Sequence, residues 1–194
     1  MVKQLFGEIK SIDLIGGQIT SRVEDKTGES GKSVDVLIPK AIIHGSVDHN
    51  NLGKLIIKSE IEDKKMTKEG DIVIKLSTPY DSCIITKNDE GLLVPSFCAI
   101  IRCLDNSINK GYLIAYLNSE ACISQIRNLV VGSTIAILST GTLKKIEIFI
   151  PDKDKQLVIS NDYLNALRKE QLLNKIIELE YEKVNSEIYK IMEE

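Results

Sequence analysis

Three side chains occur in the order of a metal-dependent nuclease core. Asp48 precedes Glu62 and Lys64, and in such a core two carboxylates hold Mg²⁺ while the lysine polarises an attacking water. Glu62 and Lys64 stand in a charge-rich stretch of the kind that forms a solvated turn. We therefore favour a plain surface loop and keep a Mg²⁺-dependent nuclease as an alternative hypothesis.

Other catalytic patterns are missing from the sequence. It contains no GxSxG, GxxxxGK[ST] or GxGxxG. His44 and His49 have no third ligand at metal spacing, so no metal site is predicted. Four cysteines lie in apolar runs without a CxxC pair, which predicts buried free thiols: Cys83, Cys98, Cys103 and Cys122. We expect no catalytic residue and no metal on this chain.

Polar and basic side chains in predicted loops could address base edges or phosphates. The segment His44–Lys54, HGSVDHNNLGK, gathers two histidines, two asparagines, two glycines and a lysine. For each of these residues a solvated surface position is the competing interpretation. Chosen by their position in predicted loops, the candidates for base or phosphate contacts are Arg22, Lys32, His49, Asn50, Asn51, Lys54, Thr78, Tyr80, Lys87, Ser133 and Thr134.

The elements that would position these residues are strands along most of the domain and two helices between residues 111 and 130. Runs of β-branched and leucine residues predict strands at Val34–Pro39, Leu55–Ile57, Asp71–Leu76, Cys83–Thr86, Phe97–Leu104, Ile135–Leu138 and Lys145–Ile150. Phe97–Leu104 is almost entirely apolar and should be a buried strand. Gly111–Asn118 and Ser119–Val130 have a period near 3.6, and Ser119 is a candidate N-cap. The sequence therefore predicts an α/β (α+β), mixed-sheet domain at residues 1–154.

The remaining stretch, residues 155–194, is predicted to be one long helix from Gln156 with an unusually wide apolar surface. It contains about 37 residues and would be on the order of 55 Å long, more than the domain can cover. Spacings of four and three residues predict a coiled-coil seam, and a second row occupies an adjoining face. Extended backwards, the seam includes Glu170 and Asn174. The predicted dimer or partner residues are Leu167, Leu172, Leu173, Ile176, Ile177, Leu179, Tyr181, Val184, Ile188 and Ile191.

Charge and hydropathy narrow the class of protein. The net charge is −3, and residues 1–150 are neutral, with 18 basic and 18 acidic side chains. A neutral domain is not a nonspecific polyanion binder, although local basic patches can still contact phosphates. The sequence has no signal peptide pattern and no apolar run long enough for a membrane span. We expect a cytoplasmic protein that does not enter a membrane.

Several of these segments resemble one family in their order. Gly70-Asp71-Ile72 resembles the "GDI" strand of the target recognition domain in specificity (S) subunits of type I DNA restriction-modification systems. Phe97–Arg102, Tyr112–Ser119 and Gly132–Thr134 follow in the same order as in that family. The closing run Ile146–Pro151 before a long amphipathic helix is similar to its junction between recognition domain and spacer helix. The resemblance covers roughly residues 5–194.

The resemblance implies a non-catalytic, sequence-specific DNA-binding subunit with partners that carry the chemistry. A methyltransferase (M) subunit would bind S-adenosylmethionine, and a restriction (R) subunit would translocate and cut. The family usually has two recognition domains and two spacer helices, whereas this chain has one of each and no tryptophan. We therefore expect a half-length form that pairs as a homodimer through an antiparallel helix contact and reads a bipartite site in double-stranded DNA. A non-DNA-binding adaptor or decoy subunit is the other alternative.

Overall fold

The computed structural model describes residues 2–26, 31–130 and 137–193. Its strands are β1 (Val2–Leu5), β2 (Ile12–Gly16), β3 (Lys32–Val36), β4 (Ile42–Ile43), β5 (Ser46–Val47), β6 (Gly53–Ile57), β7 (Ile72–Lys75), β8 (Ser82–Ile84), β9 (Cys98–Cys103) and β10 (Glu147–Ile150). Its α-helices are α1 (Lys110–Leu117), α2 (Glu120–Val130), α3 (Thr140–Leu143) and α4 (Lys153–Glu193). The predicted fold class, an α/β domain followed by a long helix, is confirmed.

A four-stranded sheet in the order β2-β9-β7-β8 forms the centre of the domain. Its neighbouring strands are antiparallel, and single parallel bridges, such as Gly45 to Cys83, extend its edge. β9 pairs on both sides, and Ala99, Ile100 and Ile101 are fully buried. The prediction of a buried strand is therefore confirmed for the interior of the predicted range, whereas its two end residues, Phe97 and Leu104, lie outside β9 and are exposed.

The two faces of this sheet pack against different layers. Because side chains alternate along a strand, Ile72 and Ile74 of β7 join the core beneath α1 and α2. Val73 points to the other face and packs with Leu37 and Ile42. The ribbon formed by β3 and β6 lies outside the central sheet.

Helix α1 is joined to α2 at Ser119 and is tied to the strand that precedes α4. Ser119 Oγ accepts the Cys122 backbone N–H at 3.3 Å, which agrees with its predicted role as an N-cap. The hydroxyls of Tyr112 and Tyr116 donate to the backbone carbonyls of Phe149 and Glu147. β10 in turn pairs with β1, so the first described residues and the strand before α4 form one small sheet.

Helix α4 begins three residues before the predicted start, because Asp152 caps its first turn. Asp152 Oδ1 accepts the Lys155 backbone N–H at 3.1 Å. The first part of α4 packs on α1, where Gln156 and Ser160 are buried. A Cβ on Gly111 would lie 2.0 Å from Ser160 Oγ, so glycine permits the close approach of the two helices. The division of the chain at residues 154 and 155 stays a prediction.

The four cysteines are free, and Cys83, Cys98 and Cys122 are buried, as the sequence predicts. Burial raises the pKa of the Cys98 and Cys122 thiols to about 12. The Cys103 thiol is partly buried, and burial raises its pKa as well. In the part of the chain that the structure describes, no helix is long and apolar enough to cross a membrane.

Candidate functional site

The predicted DNA contacts separate into three groups in space, and a fourth pair, Ser133 and Thr134, lies outside the described residues. One group is on the ribbon of β3 and β6 and the turn beside it. A second group lies in two 3₁₀ turns, near the point where α4 leaves the domain. The third belongs to the loop between β7 and β8. The sequence could not show this separation, because it depends on how distant loops meet.

The ribbon group contains Arg22, Lys32 and Lys54, and all three side chains are exposed. Lys32 is in β3 and Lys54 is opposite Asp35 in the antiparallel register. The 3₁₀ turn Thr20–Arg22 is held beside them, because the Lys58 backbone N–H donates to Val23 O at 2.9 Å. Because side chains alternate along a strand, Lys54 shares a face of the ribbon with Asp35, whereas Lys32 points to the other face. Each cation could contact phosphates separately.

The turn group is held together by two carboxylates. Asp48 Oδ1 accepts the Asn50 backbone N–H at 3.0 Å, and Asp48 Oδ2 accepts the Asn51 side chain at 2.5 Å. His49 Nε2 lies 2.7 Å from Asp89 Oδ1, and Asp89 is buried. Asp89 belongs to the 3₁₀ turn Lys87–Asp89, so the His49 contact joins Lys87 to the same surface.

Helix α4 passes beside this turn group. Ile43, Asp48 and Asn50 line one side of a groove whose other side is formed by Leu167 and Asn174, with further residues of α4. The sequence predicts the segment His44–Lys54 as a DNA-contacting loop, but part of it faces the helix. His49, Asn50, Asn51 and Lys87 therefore stay predictions as DNA contacts, and no pattern in the sequence indicates that they lie next to α4.

The loop between β7 and β8 separates its two predicted contacts. Thr78 is exposed, whereas Tyr80 is only 2% exposed and its ring lies in the core beneath α1 and α2. The Tyr80 backbone has a φ of 65°, and its N–H donates to Ser77 O at 2.9 Å, so this turn directs the ring inward. A ring buried in this way cannot reach a base edge, and the prediction of Tyr80 as a DNA contact is wrong.

The "GDI" segment supplies a buried ion pair rather than a contact surface. Arg102 in β9 donates from Nε to Asp71 Oδ1 at 2.8 Å and from Nη2 to Asp71 Oδ2 at 2.6 Å. The same guanidinium donates to Met66 O at 3.1 Å, and the Lys68 N–H donates to Asp71 Oδ2. The hydrogen bonds with Asp71 raise the pKa of Arg102 further. This pair fixes the segment before β7 onto the central strand.

The nuclease alternative gains no support from the geometry. Lys64 Nζ lies 2.6 Å from Glu62 Oε2 on the surface, and the hydrogen bond from Lys64 holds the pKa of Glu62 below its ordinary value. Both carboxylate oxygens of Asp48 are used by its own turn. Within the described ranges, no three His, Cys, Asp or Glu side chains are grouped so that they could hold a metal ion.

The predicted partner residues of α4 are exposed, with one exception. Beyond Leu167 every described residue of the helix is exposed. The nine predicted positions from Leu172 to Ile191 are between 49% and 71% exposed. Leu167 is only 9% exposed, and a Cβ on Gly45 would lie 2.6 Å from its Cδ1 atom. Leu167 therefore anchors α4 on the domain, and its assignment to the dimer seam is wrong.

An exposed apolar surface lies at one end of the central sheet, and no sequence pattern predicted it. Phe97 immediately precedes β9 and is 63% exposed, and Ile137 is 52% exposed. Ser77 and Ile137 form an antiparallel bridge, which brings the Ile137 segment beside Thr78. Phe97 was predicted to be part of a buried strand, so its exposure could not be read from its neighbours.

Comparisons with known proteins agree with this architecture. The profile of the type I restriction modification DNA specificity domain matches residues 37–181, and no curated protein matches the chain. Among solved structures, the HsdS subunit from Thermoanaerobacter tengcongensis is similar, with a TM-score of 0.59 and 11% identity over 87% of this chain and 45% of that chain. The S subunit of the type I restriction-modification system from M. genitalium has a TM-score of 0.53 and 17% identity, over 89% of this chain and 40% of that chain.

A third similar chain comes from the work "Structural basis underlying complex assembly and conformational transition of the type I R-M system". It has a TM-score of 0.59 and 11% identity, over 84% of this chain and 45% of that chain. Because the sequence identities are only 11% to 17%, the similarity to these structures shows a shared fold and nothing more. The present chain spans less than half the length of each of these three chains.

Proposed function

Because the chain belongs to the type I restriction-modification DNA specificity family, we propose that it binds a DNA sequence and directs a methyltransferase and a restriction subunit to it. The methyltransferase subunit would carry S-adenosylmethionine, and this chain would carry no cofactor and act in the cytoplasm. Support comes from the family match, which extends from the domain into α4, and from the exposed basic side chains of Arg22, Lys32 and Lys54.

The active form that we propose is a homodimer of two such chains. The observation that carries it is the free part of α4, residues 168–193, whose apolar side chains have no cover in the described residues. Exposed apolar surface of this extent indicates an interaction site. In an antiparallel pair with two-fold symmetry, each apolar row would cover the same row of its twin.

Such a pair would place two identical domains on an inverted repeat. At about 1.5 Å per residue, the free part of α4 is about 39 Å long. One turn of B-DNA is about 34 Å. The helix is therefore long enough to separate two recognition domains by a full turn, so that each domain reads one half of a bipartite site.

The width of the apolar surface allows α4 to serve two partners. Ile177, Tyr181, Val184, Ile188 and Ile191 recur at coiled-coil spacing, and we assign this row to the twin helix. Leu172, Ile176 and Leu179 lie on the adjoining face, and we assign that row to the methyltransferase subunit.

A pair of matched double variants tests this assignment by sedimentation equilibrium. Ile177→Asp with Ile188→Asp places four charges in the proposed dimer contact, and we expect a monomer with an unchanged circular dichroism spectrum. Leu172→Asp with Leu179→Asp changes equally exposed side chains on the other row. That control should remain a dimer and should lose affinity for the methyltransferase subunit.

Two results would contradict the dimer assignment. One is a wild-type chain that sediments as a monomer at tens of micromolar without a methyltransferase subunit. The other is an Ile177→Asp, Ile188→Asp variant whose dimer is as stable as that of the wild type. A dimer broken only by the Leu172→Asp, Leu179→Asp variant would exchange the roles of the two rows.

A further inference from the structure

One end of the central sheet carries a small surface that is neither buried nor part of α4. We call it the sheet-end patch and define it by Gln18, Thr78, Ser96, Phe97 and Ile137. β2 and β7 end here and β9 begins here. Phe97 is 63% exposed and Ile137 is 52% exposed.

Backbone hydrogen bonds hold the segments of the patch in fixed positions. The Leu76 N–H donates to Phe97 O at 2.9 Å, and the Ser96 N–H donates to Gln18 O at 2.7 Å. The Leu138 N–H donates to Leu76 O at 2.7 Å, which fixes the segment that follows Ile137. Phe97 is therefore presented by a rigid frame, so that little conformational entropy would be lost when a ligand orders it.

A glycine makes this close arrangement possible. A Cβ on Gly17 would lie 2.0 Å from Pro95 O and 2.8 Å from Val94 O. Both contacts are to backbone atoms, which cannot move aside as a flexible side chain could. The absence of a side chain at Gly17 lets the segment of Gln18 lie directly against the segment that carries Phe97.

The charges around the patch suit a polyanion. The segments 16–20, 76–79, 95–98 and 137–141 contain no acidic residue. Asp81, just beyond the second of these segments, is paired with Lys75 at 2.8 Å. The 3₁₀ turn that starts at Thr20 leads to exposed Arg22, a cation beside the neutral centre. The patch thus combines neutral polar groups with a basic neighbour.

The opposite end of the same strand provides a natural comparison. Leu104, directly after β9, is also 63% exposed. Its surroundings carry charges of both signs: Lys10 and Asp105 line a groove with it, and Asp71 at the same end of the sheet is paired with Arg102. The two ends of β9 therefore present equally exposed apolar side chains, one beside neutral polar groups and the other among charged groups.

Resting on the proposed function, we propose that the sheet-end patch is the part of the domain that reads base pairs in duplex DNA. Phe97 packs against thymine methyl groups or a partly unstacked base, as apolar side chains do in DNA grooves. Thr78, Ser96 and Gln18 supply hydroxyl and amide groups for base edges, and Arg22 contacts the adjacent phosphates.

A protein partner is the less favoured occupant of this patch. The continuous apolar rows of α4 already form a surface of the kind that protein partners cover. In the patch, single apolar side chains alternate with hydroxyl and amide groups. That mixture matches the donors, acceptors and methyl groups of a DNA groove.

The chain has no tryptophan, so a single introduced indole can report on the patch. The probe is a duplex that the wild-type chain enriches from a randomised library. On addition of this duplex, the Phe97→Trp variant should show strong fluorescence quenching, and Leu104→Trp should show none. Phe97→Ala should lower affinity for the duplex roughly tenfold, about the contribution of one stacked or apolar base contact. Leu104→Ala should bind as the wild type does.

The possible outcomes separate this inference from the proposed function. Full affinity of Phe97→Ala for the enriched duplex, with unchanged fluorescence of Phe97→Trp, overturns the inference and leaves DNA binding intact. Loss of methyltransferase binding by Phe97→Ala, with DNA affinity retained, shows a protein site and also overturns it. A wild-type chain that enriches no duplex removes the proposed function and the inference together. Equal melting temperatures of the two alanine variants exclude misfolding.

Discussion

At the scale of single residues, the charges that are most deeply buried hold the frame of the domain. Asp71 and Arg102 form a two-point hydrogen-bonded pair in which both groups are largely buried. Removal of one partner from such a pair leaves an unpaired buried charge, which is more damaging than the loss of a surface pair. Asp71, the acidic residue of the "GDI" segment, is therefore a structural residue.

We expect Asp71→Asn to lower the free energy of unfolding by about 2–3 kcal/mol, because the Arg102 guanidinium loses its charged partner. Urea denaturation followed by circular dichroism measures this difference. Glu62→Gln is the matched control, since Glu62 pairs with Lys64 on the surface, and its urea midpoint should not change. Equal midpoints for wild type and Asp71→Asn would contradict the structural role.

The cysteine thiols give a second prediction at this scale. Burial raises the pKa of Cys98 and Cys122 to about 12, so both thiols stay protonated at pH 8 and cannot act as nucleophiles. We expect the native chain to react slowly with a thiol reagent at pH 8 and the urea-unfolded chain to react at all four cysteines. Rapid labelling of Cys98 or Cys122 in the native chain would be inconsistent with their burial.

At the scale of elements, local patterns predicted those parts of the fold that local forces determine. The apolar run of β9, the N-cap at Ser119 and the length of α4 follow from neighbouring residues. The pairing of β1 with β10 joins the two ends of the domain, and no local pattern encodes it. The inward turn of Tyr80 and the anchoring of Leu167 also depend on contacts with distant segments.

The candidate site was less predictable than the fold for the same reason. Arg22, Lys32 and Lys54 were correctly placed in exposed positions, because basic residues in polar stretches are seldom buried. The faces of the ribbon on which Lys32 and Lys54 lie depend on the register of β3 and β6. The exposure of Phe97 depends on where β9 starts relative to its neighbours, and a continuous apolar run conceals that position.

Gly17 provides the test at the scale of elements. A Cβ at this position would overlap the backbone of Pro95, so Gly17→Ala should force the segments of Gln18 and Ser96 apart. We expect the melting temperature to fall by about 5 °C, in line with a loss of roughly 2 kcal/mol. Gly141→Ala is the control, because its Cβ would make only an ordinary contact at 3.6 Å. An unchanged melting temperature for Gly17→Ala would show that the two segments can separate freely.

At the scale of the whole molecule, three surfaces have distinct chemical characters. The free part of α4 is apolar in two rows and acidic in net charge, since residues 151–194 carry seven basic and ten acidic side chains. The ribbon of β3 and β6 carries an exposed lysine on each face, and the sheet-end patch is neutral and polar with two apolar side chains. We assign protein partners to the first surface and DNA to the other two. A homodimer would then present two DNA surfaces related by a dyad.

The most direct test of a homodimer that binds DNA is to select duplexes from a randomised library with the purified wild-type chain. We predict enrichment of an interrupted inverted repeat, because two identical domains related by a dyad must read two identical half-sites. The Ile177→Asp, Ile188→Asp variant should lose the symmetric spacing and enrich, at most, a single half-site. A wild-type chain that enriches no sequence, or only a single uninterrupted site without a repeat, would contradict the proposed dimeric DNA-binding function.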